Sequence, residues 1–258
     1  CYSPVTACAA GNDAIGQAFR SIRDGYSDLI LAGGAEASIT PLAIGGFASM
    51  KALNTSTDPN RASIPFDKER GGFVMGEGAG IFVMESLDHA LARGANILGE
   101  VVGYGANCDA YHMTAPNPDG SGAGKAMKLA MAEAGVQPSE IGYINAHGTS
   151  TPANDSAEGT SIKYGLGEDY KGAYVSSTKS MTGHLLGAAG AIEAIASILA
   201  INNGIVPPTI NHSTQDDQID EKLNFTLNKA QKRDIKVAMS NTFGFGGHNA
   251  CVLFKKLD

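Results

Sequence analysis

The sequence has no run of lysine and arginine residues and no surplus of positive charge. Its 258 residues hold 19 Lys and Arg against 26 Asp and Glu, which gives a formal net charge of −7 at pH 7. Proteins that bind nucleic acid need a basic surface to meet the phosphates. The composition therefore argues against DNA and RNA as partners.

Cysteine is scarce and widely spaced, and we recognise no signal-peptide pattern in the sequence. The four cysteines lie at positions 1, 8, 108 and 251. This spacing is typical of free thiols in a reducing compartment, so we expect a cytoplasmic protein. The sequence has no CxxC pair and no histidines four residues apart on a predicted helix, so we expect no metal site.

An apolar stretch and a glycine-rich segment resemble a membrane span and a nucleotide-binding loop, but neither fits the full pattern. The longest apolar stretch, from His184 to Ile201, contains a His and a Glu and is rich in Ala and Gly, so it predicts a buried helix and no membrane span. The glycine-rich segment from Gly76 to Gly80 leads into a predicted strand instead of a helix, unlike a dinucleotide-binding loop. We therefore expect neither a membrane partner nor a nucleotide or other organic cofactor.

Helical and strand-like segments alternate along the chain, which predicts an α/β fold. An amphipathic helix follows Cys8, and a loop rich in Pro and Asn separates the first two strands. The predicted strands are 28–33, 80–85, 99–104, 141–146, 173–178, 237–240 and 250–254, and the further helices are 87–93, 123–134 and 187–201.

The two parts of the chain resemble each other. Ala9-Ala10-Gly11 and Ala188-Ala189-Gly190 each open a helix that leads to an apolar strand, a glycine-rich turn and a last strand. We therefore expect duplicated halves at 1–95 and 96–258. Only seven residues precede Cys8 and the first residue is not Met, so we expect the first half to be incomplete.

Cys8 has the surroundings of a nucleophile. The segment Thr6–Gly11 places its thiol at the start of a helix, where unpaired N–H groups and the helix dipole favour the thiolate. A small buried structural cysteine is the ordinary alternative.

Two histidines stand apart from the others because small residues surround them. His147 follows a predicted strand in a loop rich in Gly, Ser and Thr, and His184 follows Lys179 just before the buried helix. Glu193 is the only charge in that helix, and Lys179 is its natural partner, either in a structural ion pair or in a functional one. The segment 241–247 adds two aromatic residues, Phe243 and Phe245, between glycines that can aim N–H groups at an anion.

Four motifs together resemble the β-ketoacyl-acyl-carrier-protein synthases, and within them the elongating synthase II branch. They are T-A-C-A-A-G at Cys8, N-A-H-G-T-S-T-P at His147, K-S-M-T-G-H-L-L-G-A-A-G from Lys179 and N-T-F-G-F-G-G from Asn241. The resemblance implies the thiolase-like fold, in which two similar halves stack mixed sheets between helix layers. It also implies a homodimer and an acyl-carrier-protein partner that brings the phosphopantetheine, with no cofactor of the enzyme's own.

By the same resemblance, Cys8 takes an acyl chain from acyl-carrier protein and condenses it with a malonyl unit that loses CO₂. His147 and His184 would stabilise the enolate, Lys179 and Glu193 would maintain the electrostatics, and the N–H groups of Cys8 and Phe245 would form an oxyanion hole.

Further positions are implied to bind substrate. They are Thr149 and Thr151 on the phosphopantetheine arm, Phe243 and the gating Phe245 at the acyl pocket, and Lys51 toward the carrier protein.

Two other functions stay open at this point. A ketosynthase of polyketide assembly shares the same three reactive residues. A catalytically inactive subunit that only binds carrier protein would lack the nucleophile, so Cys8 argues against it.

Overall fold

The computed structural model describes residues 1–257 and has an α/β architecture built on one six-stranded mixed sheet. The helices are α1 (Ala10–Arg23), α2 (Pro41–Ser49), α3 (Leu87–Ala92), α4 (Ser121–Ala134), α5 (Pro152–Leu166), α6 (Lys179–Thr182) and α7 (Ala189–Asn203). The strands are β1 (Leu29–Glu36), β2 (Gly78–Glu85), β3 (Glu100–Cys108), β4 (Ile141–Asn145), β5 (Tyr174–Ser176), β6 (Ile205–Val206), β7 (Asn224–Phe225), β8 (Gln231–Lys232), β9 (Val237–Gly244) and β10 (His248–Lys255).

The large sheet has the strand order β3-β10-β9-β4-β5-β7, and a hydrophobic core packs against each of its faces. β3, β10 and β9 pair antiparallel, whereas β9, β4, β5 and β7 run parallel. Side chains alternate between the faces of a strand. Cys251 and Leu253 of β10 accordingly pack with α4 and α5, while Val252 and Phe254 pack with α1 and α7.

A second, two-stranded sheet lies on the far side of α1 and α7. β1 and β2 pair antiparallel along their whole length, and both contact these two helices. The layers are therefore α4 with α5, the large sheet, α1 with α7, and the small sheet. The sequence predicted a buried strand here, but that is wrong for the outer face, where Leu31 is 66% and Val83 is 57% exposed.

The segments that open α1 and α7 have the same local geometry. Each helix follows a short 3-10 turn, Ala7–Ala9 and Leu186–Ala188, whose first residue has a left-handed backbone with φ near 50°. The helices cross where glycines allow close contact, since a Cβ on Gly11 would lie 2.8 Å from the backbone nitrogen of Ala191. This pairing agrees with the internal similarity that the sequence indicates.

Two further sequence expectations need correction. The stretch between the first two strands is not all loop, because Pro41–Ser49 forms α2, with Thr40 accepting a hydrogen bond from the backbone of Ala43. The turn expected at 241–247 is shorter, because β9 continues to Gly244. Helix α5 was not predicted at all.

The apolar segment Leu186–Asn203 is long and hydrophobic enough to cross a membrane, with a mean hydropathy of 1.4. Of its residues, 56% are buried inside the structure, and α7 packs between the two sheets. The sequence predicted a buried helix here, and the structure has one.

Candidate active site

One cavity of about 330 Å³ brings most of the candidate residues together. It opens where β4 and β9 end and where the turn before α1 approaches them. The predicted site residues on its wall are Cys8, Lys51, His147, Thr149, Thr151, His184, Phe243 and Phe245. Lys179 and Glu193 do not line the cavity and lie behind His147.

Cys8 sits in the 3-10 turn that leads into α1 and is 9% exposed. Burial raises its thiol pKa to about 11, and this effect exceeds the lowering by the Lys179 charge and by a backbone N–H. The backbone N–H at the helix start favours the thiolate, as the sequence predicts, but burial outweighs this effect in the resting site. At neutral pH the thiol keeps its proton.

The two histidine rings meet edge to face, with centroids 5.2 Å apart and planes at 86°. His147 follows β4, while His184 is fixed by its backbone, which donates to Val74 over 2.7 Å. Burial holds both histidine pKa values well below 6.5, and the charge of Lys179 adds to the effect. Both rings are therefore neutral at physiological pH, and each has one N–H to donate.

A buried ion pair determines which nitrogen of His147 has that proton. Lys179 and Glu193 are 1% and 2% exposed and form a direct hydrogen bond. The Lys179 ammonium also lies 3.4 Å from Nδ1 of His147. Since an ammonium only donates, Nδ1 accepts, and the proton of His147 lies on Nε2. Burial raises the pKa of Glu193, and the adjacent ammonium opposes that rise.

The loop between β4 and α5 presents two hydroxyl groups to the cavity. Thr149 and Thr151 lie on either side of Ser150, whose φ is 69°, and their hydroxyl oxygens are 2.9 Å apart. The buried Arg70 holds this loop from behind by donating to the carbonyl oxygens of Thr151 and Pro152.

The two phenylalanines have different surroundings. Phe243 belongs to β9 and is buried, with its ring 5.5 Å from that of His147. Phe245 is half-buried in the following turn, where Gly246 and Gly247 take φ values of 94° and 82°. Gly246 donates to the Met113 carbonyl oxygen over 2.7 Å. The surroundings of Phe245 therefore restrict a change of conformation less than those of Phe243.

Lys51 lies at the rim of the cavity. Its side chain is exposed, and its backbone is left-handed with φ 55°. No other candidate residue on the cavity wall is positively charged.

Sequence reasoning missed Glu158, although it supports His147 directly. Its two carboxylate oxygens accept hydrogen bonds from the backbone nitrogens of His147 and Gly148, over 2.8 and 2.7 Å. Burial raises the pKa of Glu158 to about 8, although these two hydrogen bonds lower it. The available signal was a carboxylate pair, Asp155 and Glu158, three residues apart on the helix that follows the histidine loop. Within residues 1–257, no three His, Cys, Asp or Glu side chains cluster as a metal site would require.

Comparison with known families gives two adjoining matches. The N-terminal domain of β-ketoacyl synthases matches residues 1–90, and the C-terminal domain matches residues 98–213. The matches follow in the order that the four sequence motifs predict.

Curated relatives agree with this assignment. The chain is 55% identical over 253 residues to 3-oxoacyl-[acyl-carrier-protein] synthase 2 of Synechocystis sp. PCC 6803, and 54% identical over 254 residues to the synthase 2 of Staphylococcus aureus strain COL. Each alignment covers 98% of this chain but only 60% and 61% of the relative. The chain thus spans about three fifths of the length of these curated relatives.

A solved structure extends the comparison to the fold. The ketosynthase of a type II polyketide synthase, in complex with its acyl-carrier protein, superposes with a TM-score of 0.95 at 42% identity, over 98% of this chain and 62% of that one. The fold is therefore the thiolase-like α/β fold of ketosynthases, as the sequence motifs imply. The chain belongs to the β-ketoacyl synthase family.

Proposed function

We propose that the complete gene product is an elongating 3-oxoacyl-acyl-carrier-protein synthase that uses Cys8, His147 and His184. The observation that carries this proposal is their common cavity, in which a thiol faces two neutral histidines. A thiol and two hydrogen-bond donors are the groups that thioester exchange and enolate formation require.

In the first step, Cys8 accepts the acyl chain. Its sulfur attacks the carbonyl carbon of the acyl-carrier thioester, a new C–S bond forms, and the bond to the phosphopantetheine sulfur breaks. The proton of the Cys8 thiol goes to the departing thiolate, so the completed exchange leaves no net charge and a negative charge exists only on the oxygen of the tetrahedral intermediate. The N–H groups of Cys8 and Phe245 would stabilise the oxyanion, in line with the tight packing of Gly244 against Cys8, where a Cβ would lie 3.2 Å from the Cys8 nitrogen.

In the second step, malonyl-carrier protein loses CO₂ and leaves an enolate. Charge develops on the thioester oxygen, and Nε2–H of His147, together with an N–H of His184, would donate to it. The enolate carbon then attacks the acyl-Cys8 carbonyl, the new C–C bond forms, and the C–S bond breaks. Cys8 leaves as a thiolate and takes a proton from solvent.

The site supports a carrier-bound substrate. Thr149 and Thr151 offer hydroxyls where a phosphopantetheine arm would enter, Phe245 would move to admit the acyl chain beside Phe243, and Lys51 would meet the acidic carrier protein at the rim. The phosphopantetheine arrives on the carrier, so the enzyme would need no cofactor. We place the reaction in the cytoplasm, in a homodimer whose subunits each have two similar halves, with residues 1–95 in the first half and residues 96–258 forming the second.

Fatty-acid elongation is favoured over polyketide assembly by the relatives. Identity is 55% to a 3-oxoacyl-acyl-carrier-protein synthase 2 and 42% to a polyketide ketosynthase. An inactive carrier-binding role is disfavoured because the thiol is present and opens into the cavity.

Product analysis tests this proposal. The complete gene product, mixed with acyl- and malonyl-carrier protein, should release CO₂ and yield a 3-oxoacyl chain longer by one two-carbon unit. Several malonyl additions to one chain without reduction would instead support the polyketide reading. No product with any acyl primer would contradict both.

A further inference from the structure

The turn that presents Cys8 is held in an uncommon backbone conformation. Ala7 has φ 50°, a left-handed geometry that non-glycine residues seldom adopt unless surrounding contacts impose it. Thr6 precedes it, and the Thr6 carbonyl oxygen accepts a hydrogen bond from Ala9 over 3.0 Å. The position of Thr6 therefore sets the direction in which Cys8 points.

A buried carboxylate holds Thr6 from one side. Asp13, on α1, is 4% exposed. Its Oδ2 accepts a hydrogen bond from the Thr6 hydroxyl, and its Oδ1 accepts one from the Tyr104 hydroxyl. Both hydroxyl groups thus donate to one buried side chain, and burial strengthens such hydrogen bonds.

Tyr104 anchors this carboxylate to the large sheet. It lies on β3, its ring packs directly against Gly16 of α1, and the Arg20 guanidinium stacks on the ring with its carbon 4.7 Å from the centroid. Burial and the neighbouring Asp13 raise the Tyr104 pKa far above 10, so its hydroxyl stays protonated and donates. The contacts thus run from β3 through Tyr104 and Asp13 to Thr6.

The opposite side of Thr6 abuts the end of β9. A Cβ on Gly244 would lie 2.5 Å from the Thr6 carbonyl oxygen and 3.3 Å from Cβ of Ala7. Thr6 is therefore wedged between Asp13 and the strand that leads to Phe245. Asp13, Thr6 and Tyr104 do not line the cavity, and Asp13 makes no ion pair with any residue of the described chain 1–257.

We propose that Asp13 is a positioning residue for the Cys8 nucleophile: by holding the Thr6 hydroxyl, and being held by Tyr104, it fixes the strained turn that aims the thiol into the cavity. The inference deepens the proposed function and rests on it for the acyl-transfer step. It assigns Asp13 no contact with substrate.

The test separates the reactions of Cys8 from the reaction of the histidines. In the complete gene product, Thr6→Val and Asp13→Asn should each slow acylation of Cys8 by acyl-carrier protein about tenfold, because small displacements of a reacting atom are costly. Decarboxylation of malonyl-carrier protein, which depends on His147 and His184, should change by less than about twofold. Thr6→Ser keeps the hydroxyl and should restore acylation.

Alkylation of Cys8 by iodoacetamide gives a readout that needs no carrier protein. Thr6→Val and Asp13→Asn should slow it, whereas the matched control Tyr170→Phe, which removes a tyrosine–carboxylate hydrogen bond to Asp220 away from the cavity, should not. If the wild type fails to use carrier substrates but the variants still alter alkylation, the proposed function is wrong and the positioning role stands.

Two results would overturn the proposal. One is acylation and alkylation at the wild-type rate in Thr6→Val. The other is an equal loss of acylation and decarboxylation in an Asp13→Asn variant that is soluble and folded. If Thr6→Val shows the same equal loss and Thr6→Ser does not restore either reaction, the contact has a general structural role.

Discussion

At the scale of single residues, the protonation of Cys8 determines how the site begins its reaction. Burial raises the thiol pKa to about 11, so the thiolate fraction at pH 7 is small in the resting site. Below its pKa a thiol gains thiolate about tenfold per pH unit. We expect the rate of Cys8 alkylation by iodoacetamide to climb steadily from pH 7 to pH 10. A rate that levels off below pH 8 would mean that the helix start stabilises the thiolate more than burial opposes it.

Lys51 gives a second prediction at this scale. Its exposed side chain lies at the rim of the cavity in a protein of net charge −7, so it would offer a local attraction to an acidic carrier. Lys51→Glu should raise KM for carrier-protein substrates several-fold at low salt and leave kcat nearly unchanged. The matched control Lys229→Glu, exposed and outside the cavity wall, should have little effect. An unchanged KM in Lys51→Glu would remove Lys51 from the docking surface.

At the scale of elements, the crossing of α1 and α7 connects packing to the site. A Cβ on Gly11 would lie 2.8 Å from one backbone atom of α7 and 3.0 Å from the Gly187 carbonyl oxygen, and backbone atoms cannot move aside cheaply. Gly11→Ala should therefore lower the free energy of unfolding by about 1–3 kcal/mol and slow acylation of the nearby Cys8. The thermal unfolding midpoint measures the loss of stability. The rate at which the acyl adduct forms on Cys8 measures the effect on acylation.

Gly45→Ala is the matched control for this prediction. Gly45 lies inside α2 with no atom within 4 Å of its Cβ position, so alanine should stabilise by up to about 1 kcal/mol. If both variants unfold at the wild-type midpoint, the close helix crossing is not a constraint on the sequence.

The sequence predicts some of the helices and misses others. Periodicity and glycine positions predict α1, α4 and α7 because each buries one or more faces. They miss α2, which has two central glycines and no buried residue, so it lacks the apolar pattern. They also miss α5, because its buried residues include the polar side chains of Asn154, Asp155 and Glu158. A polar residue in the sequence suggests an exposed position, so the buried face of α5 shows no apolar pattern.

The same limit applies to the site. Local motifs indicate Cys8, His147 and His184 because each sits among small residues next to a helix or strand end. The role of Glu158 depends on two backbone N–H groups that only the fold brings to it. The Cys8 pKa likewise depends on burial, which no local pattern reveals.

At the scale of the whole molecule, the outer face of the small sheet is apolar and exposed. Leu29, Leu31, Ile81 and Val83 lie side by side on it, since Leu31 pairs with Val83 and Gly33 with Ile81. Contiguous apolar surface of this kind drives association in water. We expect residues 1–258 expressed alone to self-associate and to be inactive, as light scattering and the elongation assay would report.

Two lysines introduced on this face test the expectation, and two lysines introduced elsewhere give the control. Leu31→Lys with Val83→Lys should reduce the scattering of the 258-residue chain, whereas Leu129→Lys with Leu199→Lys, at exposed positions on α4 and α7, should not. A monodisperse wild-type chain of 258 residues that unfolds cooperatively and elongates acyl chains would contradict this expectation.

The division of labour between the thiol and the histidines is the central claim, and intact-mass measurement of the complete gene product tests it most directly. After incubation with acyl-carrier protein, the wild type, His147→Ala and His184→Ala should each carry one acyl group. Cys8→Ala should carry none, and the two histidine variants should then fail to condense their acyl group with malonyl-carrier protein. An acyl adduct on Cys8→Ala that survives denaturation, or full condensation by either histidine variant, would contradict the account.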